Sequence, residues 1–172
     1  YAVNPNYDEV LGIACAPSVA ALAAAPDLAV LVVGAARMET VVDDAIAGGA
    51  RALAIFDSCY LDEDTSPALL DRLIGKVRAV GLPVCGGNGM GFFNFEENTY
   101  VSHYQPPGKP TGVITVIAHS GSAFDGFVFS DARYRFNLAI SPGQEMGASI
   151  GEYMDYALEL PSTHVIALFL ET

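Results

Sequence analysis

Apolar runs alternate with amphipathic stretches along most of the chain. Residues 28–33 (Leu-Ala-Val-Leu-Val-Val) are continuously apolar. That is the pattern of a strand buried on both faces of a parallel sheet. Residues 39–48 come next as a helix, with Val41, Val42, Ala45 and Ile46 on one face and Gly48-Gly49 ending it. Residues 52–56 read as the next strand. Residues 67–80 give the clearest helix: Leu69, Leu70, Leu73, Ile74, Val77 and Val80 recur at helical spacing. Pro67 stands at its start and Gly81 just past its end. Residues 82–85 are a short strand, and the alanine-rich stretch 20–25 reads as a short helix.

The texture then changes. Residues 86–110 are rich in Gly, Asn, Pro and aromatics, show no period, and are too long for an ordinary tight connection. Their later part, near 104–110, reads as a linker. The pattern resumes with a strand at 113–117, a helix from 121 to about 132, and a strand at 138–140. Ser149-Ile-Gly-Glu152 is a capping box opening a helix that runs to about Leu160. Residues 164–170 are the last strand. Strand–helix alternation at these lengths predicts an α/β architecture with parallel sheets and no internal repeat.

Composition narrows the classes. At 172 residues the chain fits one ordinary domain or two small ones, and 52% hydrophobic residues with a mean hydropathy of +0.36 supply a sizeable core. No apolar run approaches the roughly 18–20 residues of a membrane span, and no basic-then-apolar leader opens the chain. The net charge of −12 repels a nucleic-acid backbone. An anionic cofactor stays compatible, because N–H groups at a helix start hold phosphates without Lys or Arg. Cys15, Cys59 and Cys85 have no metal-ligand spacing and suggest no disulfide framework. No metal site is expected, and a reducing cytoplasm is the inferred compartment. Tyr1 in place of Met, and a stop at Thr172 directly after an apolar run, read as a fragment.

Ligands of open α/β sheets bind beyond the carboxyl ends of strands. Four such ends carry unusual residues. Ala118-His-Ser-Gly-Ser122 places a Ser-Gly pair at a helix start, which is either an anion site or a plain serine cap. The glycine spacing of a hydrolase nucleophile elbow is absent there. Gly86-Gly-Asn-Gly-Met-Gly91 is either a glycine-rich turn or a loop that lets a ligand approach the backbone, with Asn88 as its polar contact. No helical pattern comes after it, so a dinucleotide fingerprint fits poorly. Ser141-Pro-Gly-Gln-Glu145 is a turn at a strand end. Glu171 ends the last strand and is either a solvated terminus or a carboxylate that orients a histidine. His103 and His164 read as surface positions.

In order along the chain, these stretches resemble the nucleoside-diphosphate-forming acyl-CoA synthetases, relatives of the succinyl-CoA synthetase α chain. Val3-Asn-Pro-Asn-Tyr-Asp-Glu-Val-Leu-Gly12 resembles the segment after the second strand of that family's CoA-binding domain. Pro17-Ser-Val-Ala-Ala-Leu22 and Pro26-Asp-Leu-Ala-Val30 resemble the approach to its third strand. Gly86–Gly91 stands at the family's Gly-Pro-Asn-Cys-x-Gly, Ala118–Ser122 at its Ser-x-Ser-Gly, and Gly143-Gln-Glu145 at its Gly-Asn-Lys/Glu turn. Glu152–Tyr156 and Val165–Glu171 match the family's pattern downstream of that turn. The resemblance implies a truncated Rossmann-like CoA-binding domain and, after it, the first half of a flavodoxin-like ligase domain. The implied units are residues 1–97, a linker at 98–110, and residues 111–172.

The activity implied is an acid–CoA ligase, ADP-forming: nucleotide phosphorylates a histidine, the phosphate passes to a carboxylic acid, and CoA displaces it. Asn4, Pro5 and Tyr7 would lie near the CoA adenine, and Val33, Gly34, Ala35, Phe56, Asp57 and Ser58 would form strand-end loops against CoA. Asn88 would face the thiol arm. Ser120, Gly121 and Ser122 would hold the transferred phosphate or the substrate carboxylate, and Glu171 would pair with the phosphohistidine. ATP and Mg2+ belong to a nucleotide-grasp part absent here, and the partners implied are further ligase domains in an oligomeric assembly.

Departures stand beside the match: Ala118 replaces a motif serine, Gly89 a cysteine, and His119 a residue usually Gln or Arg. The phosphorylated histidine is expected downstream, so His119 does not inherit that role, and this stretch alone is expected to be inactive. The aromatic loop Gly91–Phe95, with Tyr100 and Tyr104, either lines a pocket for a bulky acid or packs between domains. Two other readings remain: a non-catalytic CoA-binding or regulatory module, and a nicotinamide-dependent oxidoreductase with Asp8 as its ribose-binding acid.

Overall fold

The computed structural model describes residues 1–108, 110–129 and 133–171. The chain opens with three short strands, β1 (Ala2–Val3), β2 (Glu9–Val10) and β3 (Ile13–Ala16), in the order β1-β3-β2. A 3-10 turn over Val19–Ala21 comes next, where the alanine-rich stretch predicts a helix. The reason lies in two caps. Ser18 Oγ accepts the Ala21 N–H at 3.1 Å, and the carboxylate of Asp44 accepts those of Val19 and Ala20. These bonds satisfy the turn's donors locally, and Ala propensity alone does not extend it.

Next come β4 (Ala29–Leu31), α1 (Ala35–Ala47), β5 (Leu53–Ile55), α2 (Leu69–Ala79) and β6 (Val84–Gly86). The three strands form a parallel sheet in the order β4-β5-β6. Leu69, Leu73 and Val77 line one stripe of α2 and Met38, Val42 and Ala45 one stripe of α1, and all six are buried against the sheet. Each large side chain so placed contributes about 1.5–3 kcal/mol. The first N–H of α2 is capped from outside the helix, by the Asp64 carboxylate at 2.6 Å from Leu69 N. That bond, and then Arg72, hold the Asp64 carboxyl below its ordinary value.

The second half departs from its aperiodic appearance in sequence. β7 (Gly91–Asn94) and β8 (Thr99–Val101) form an antiparallel hairpin, so the expected linker at 98–110 begins with a strand. β9 (Ile114–Ala118), α3 (Gly121–Phe129), β10 (Phe136–Ser141), α4 (Ile150–Glu159) and β11 (Val165–Phe169) complete the chain. Residues 130–132, where the sequence predicts the end of the third helix, lie outside the described residues, as do Lys109 and Thr172. One sheet runs β11-β9-β10-β7-β8. Its β11, β9 and β10 are parallel as expected, and the hairpin adds antiparallel strands to the β10 edge. α3 covers one face, over Phe93, Val116 and Ala139, and α4 the other, over Ile117, Leu138 and Ile140.

Phe93 and Phe95 are buried beneath α3, and Phe93 stacks on Phe124 at 5.7 Å between ring centroids. Tyr100 packs on both phenylalanines at 5.9 Å. These rings form core, so the packing alternative holds and the acyl-pocket alternative is set aside for Phe93 and Phe95. The capping box is present as read: Ser149 Oγ accepts the Glu152 N–H, and the Glu152 carboxylate accepts the Ser149 N–H at 2.8 Å.

Candidate functional site

Two neighbouring regions gather the chemistry at strand carboxyl ends. The first is an open groove of ≈ 340 Å³ past β4 and β5, lined by Val32, Val33, Gly34, Phe56, Asp57 and His103 among others. Gly34 is the N-cap of α1 and brings no capping side chain, so the helix start faces the groove with backbone donors. The Asp57 carboxylate accepts the Cys59 N–H at 2.7 Å and so shapes its own loop. Burial, then the Asp57 charge, pushes the Cys59 thiol up to about 11. It is a neutral packing group at physiological pH.

Of the residues expected against CoA, the structure sets Val33, Gly34, Phe56 and Asp57 on this groove. Ala35 is the first residue of α1, and Ser58 is exposed on the adjoining loop. Asn4, Pro5 and Tyr7 come after β1 on the separate small sheet. There Asn4 Oδ1 accepts the Asn6 N–H at 2.9 Å, and Tyr7 is exposed. His103 is exposed, as the sequence suggests, and its ring lies 4.2 Å from that of Phe56, centroid to centroid. No spacing signal points to it, because the contact joins two sheets.

The second region is a seam between the glycine loop after β6, the turn after β10 and the start of α3. The Gly86 N–H donates to Pro142 O at 3.0 Å, Gln144 N–H to Gly87 O at 2.8 Å, and Met146 N–H to Gly86 O at 3.1 Å. Asn88 N–H donates to Asp57 O at 2.9 Å, tying the seam to the groove. Side chains are excluded here by contact. A Cβ on Gly143, whose φ is +64°, would overlap Gly87 O, and one on Gly89 would overlap Ser141 O. Met90 lies over the helix start, 3.0 Å from where a Cβ on Gly121 would stand.

At that helix start Ser120 Oγ accepts the Ala123 N–H at 3.3 Å, a serine cap. Gly121 and Ser122 form the first turn of α3. Thus Ser120, Gly121 and Ser122 meet the glycine loop through Met90, Asn88 lies two residues before it on the same loop, and the plain-cap and anion-site readings of Ser120 are compatible. Ser141 Oγ is buried with no hydrogen-bond partner among the described residues. Alternation along β10 puts it on the face of Ala139, the face α3 covers. Such an atom suits a ligand oxygen at this end of the sheet.

His119 knits the rest. Its Nε2 is 2.8 Å from Glu145 Oε1, and its Nδ1 accepts the Glu171 N–H at 3.1 Å. Glu145 Oε2 accepts the Ile150 N–H at 2.7 Å, at the start of α4. An acceptor at Nδ1 fixes the proton of the neutral ring on Nε2. Both ring nitrogens are engaged, which leaves neither free as a nucleophile. Glu171 is held at the seam by its backbone, and its side chain is exposed. No sequence signal pairs His119 with Glu145, since 26 positions separate them. Among the described residues, no group of three or more His, Cys, Asp or Glu could hold a metal ion. None of their helices is long and apolar enough to cross a membrane.

Comparison with known proteins gives a family and a shared fold. The family described as a CoA binding domain matches residues 1–94. An ADP-forming acetate–CoA ligase II of Archaeoglobus fulgidus is 25% identical over 99% of this chain and 26% of its own length. A trans-feruloyl-CoA synthase of an unknown prokaryotic organism is 28% identical, over 100% of this chain and 25% of its own. The dinucleotide-forming acetyl-CoA synthetase 1 of Ca. Korarchaeum cryptofilum, solved with phosphate and ADP, superposes with a TM-score of 0.85 at 22% identity. That comparison covers 99% of this chain and 37% of the solved one, and establishes a shared fold. This chain therefore spans about a quarter of the length of the curated relatives it matches. With the matched family extending over more than half of its residues and over the whole parallel sheet that builds the groove, the chain belongs to the CoA-binding-domain family.

Proposed function

We propose that the chain supplies the CoA-binding groove and one wall of the acyl-transfer site of an acid–CoA ligase that releases ADP and phosphate. The observation that carries this is the continuity of the groove with the seam, through the Asn88–Asp57 bond. CoA lying along the β4 and β5 ends would have Asn88 and Met90 beside its thiol arm. The N–H groups of α3, the Ser120 cap and the unpartnered Ser141 Oγ would meet an anion there. Placing a thiol and an acyl anion side by side converts a bimolecular step into a local one. Helix-start donors stabilise the charge that develops on the acyl oxygen. Glu171, with its backbone fixed on His119, would present a carboxylate to a histidine from another part of the whole protein. ATP and Mg2+ would be held outside the described residues.

The test uses the full-length gene product and γ-labelled ATP. The expected result is a protein-bound phosphate that is acid-labile and base-stable, and that disappears when CoA and an acid are added. Acetate and ferulate are the first acids to try, given what the two relatives are named for. No label with either ATP or GTP would sink the ligase reading. CoA binding without label would make the protein a non-catalytic CoA-binding or regulatory module.

A further inference from the structure

The family match ends at residue 94, yet the groove is lined by a residue beyond it. His103 comes just after β8, on the hairpin that belongs to the second sheet, and reaches over the ends of β4 and β5. Its ring packs against that of Phe56, with centroids 4.2 Å apart and planes tilted by 53°. Neither ring nitrogen has a hydrogen-bond partner among the described residues. A ring packed on Phe56, with its nitrogens unbonded to the protein, can offer them to a ligand.

Charge points to the kind of ligand group. The groove lining carries two ionisable side chains, Asp57 and His103. The Asp57 carboxylate is turned into its own loop by the Cys59 N–H. On the wall past β4 stands the start of α1, with no capping side chain. That start turns backbone N–H donors and the positive end of the helix dipole toward the groove. A phosphate needs edge donors, and those are free.

We propose that His103 contacts the ligand of this groove, its ring braced by Phe56 and donating an N–H to a phosphate oxygen of the diphosphate arm of CoA. This rests on the CoA reading above. It makes the hairpin of the second sheet part of the binding site, so CoA is gripped from both sheets.

The test is calorimetric titration of the protein and its His103→Phe variant with CoA, dephospho-CoA and pantetheine. Phe keeps the packing on Phe56 and removes the nitrogens, and matched thermal melts confirm that the variant folds. The expected result is a loss of roughly tenfold or more for CoA and dephospho-CoA alike, the effect of one hydrogen bond to a charged group. Pantetheine, which lacks phosphate, should bind both proteins equally. Unchanged CoA affinity in the variant overturns the proposal and leaves the CoA reading standing. An equal loss for pantetheine overturns it too, since the ring would then act by packing. A loss confined to CoA moves the contact to the 3′-phosphate and overturns the diphosphate assignment. If the unaltered protein binds no CoA, the CoA reading fails and this inference falls with it.

Discussion

The groove and the seam are neighbours built on opposite plans. The groove is open space bordered by side chains and an uncapped helix start, and Gly34 has nothing within 4 Å of where a Cβ would stand. The seam is closed by backbone on backbone, and Gly86, Gly89 and Gly143 each lie where a Cβ would overlap a carbonyl oxygen. Glycine serves two different ends in the two places. At Gly34 it leaves open space at the helix start. At Gly143 it lets two loops meet with nothing between them.

The most severe way to break this contrast is Gly143→Val. It puts a β-branched residue at positive φ against Gly87 O, and the expected loss of stability is on the order of 4 kcal/mol or more. Denaturant melts would show it. A variant that melts like the parent would mean the seam is not closed as described.

A milder break is alkaline pH, which acts through two buried thiols. Burial raises Cys85, and burial then Asp57 raise Cys59, each from an ordinary 9.0 to about 11. The unfolded chain therefore loses these protons first. Stability is complete below pH 9 and falls as pH rises from 9 to about 11. Replacing both cysteines by alanine should flatten that decline, at some cost in packing at neutral pH. A decline of the same steepness in the double variant would place its origin elsewhere.

The smallest expected effect is the most telling for the comparison. Gly34→Ala, at φ −74° and in open space, should change stability by less than about 0.5 kcal/mol. Its consequence should appear only as weaker CoA binding, where the methyl group intrudes on the ligand. Paired with Gly143→Val, it separates a position that serves binding from one that serves closure.

Much of the first half was legible in the sequence because its helices each have one buried stripe and its strands are continuous apolar runs. Leu69, Leu73 and Val77 announce α2, and their burial matches their spacing. The hairpin β7–β8 was not legible, for a physical reason. Phe93 packs under α3 while Phe92 packs on the α4 side, so the strand is apolar on both faces and shows no alternation. The candidate site divides in the same way. Strand-end residues such as Val33, Gly34, Phe56 and Asp57 could be placed from the position of the strands before them. His103 on Phe56, and His119 between Glu145 and Glu171, are contacts between distant parts of the chain. No local pattern encodes such pairs.

The passage from one sheet to the other takes only residues 87–90, between the last residue of β6 and the first of β7. That segment is also bonded across to the turn after β10. A connection so short and so tied has no room to act as a hinge. The span from the groove to the start of α3 is thereby fixed like the length of a ruler. Any shift between the two sheets must pass around this joint and not through it.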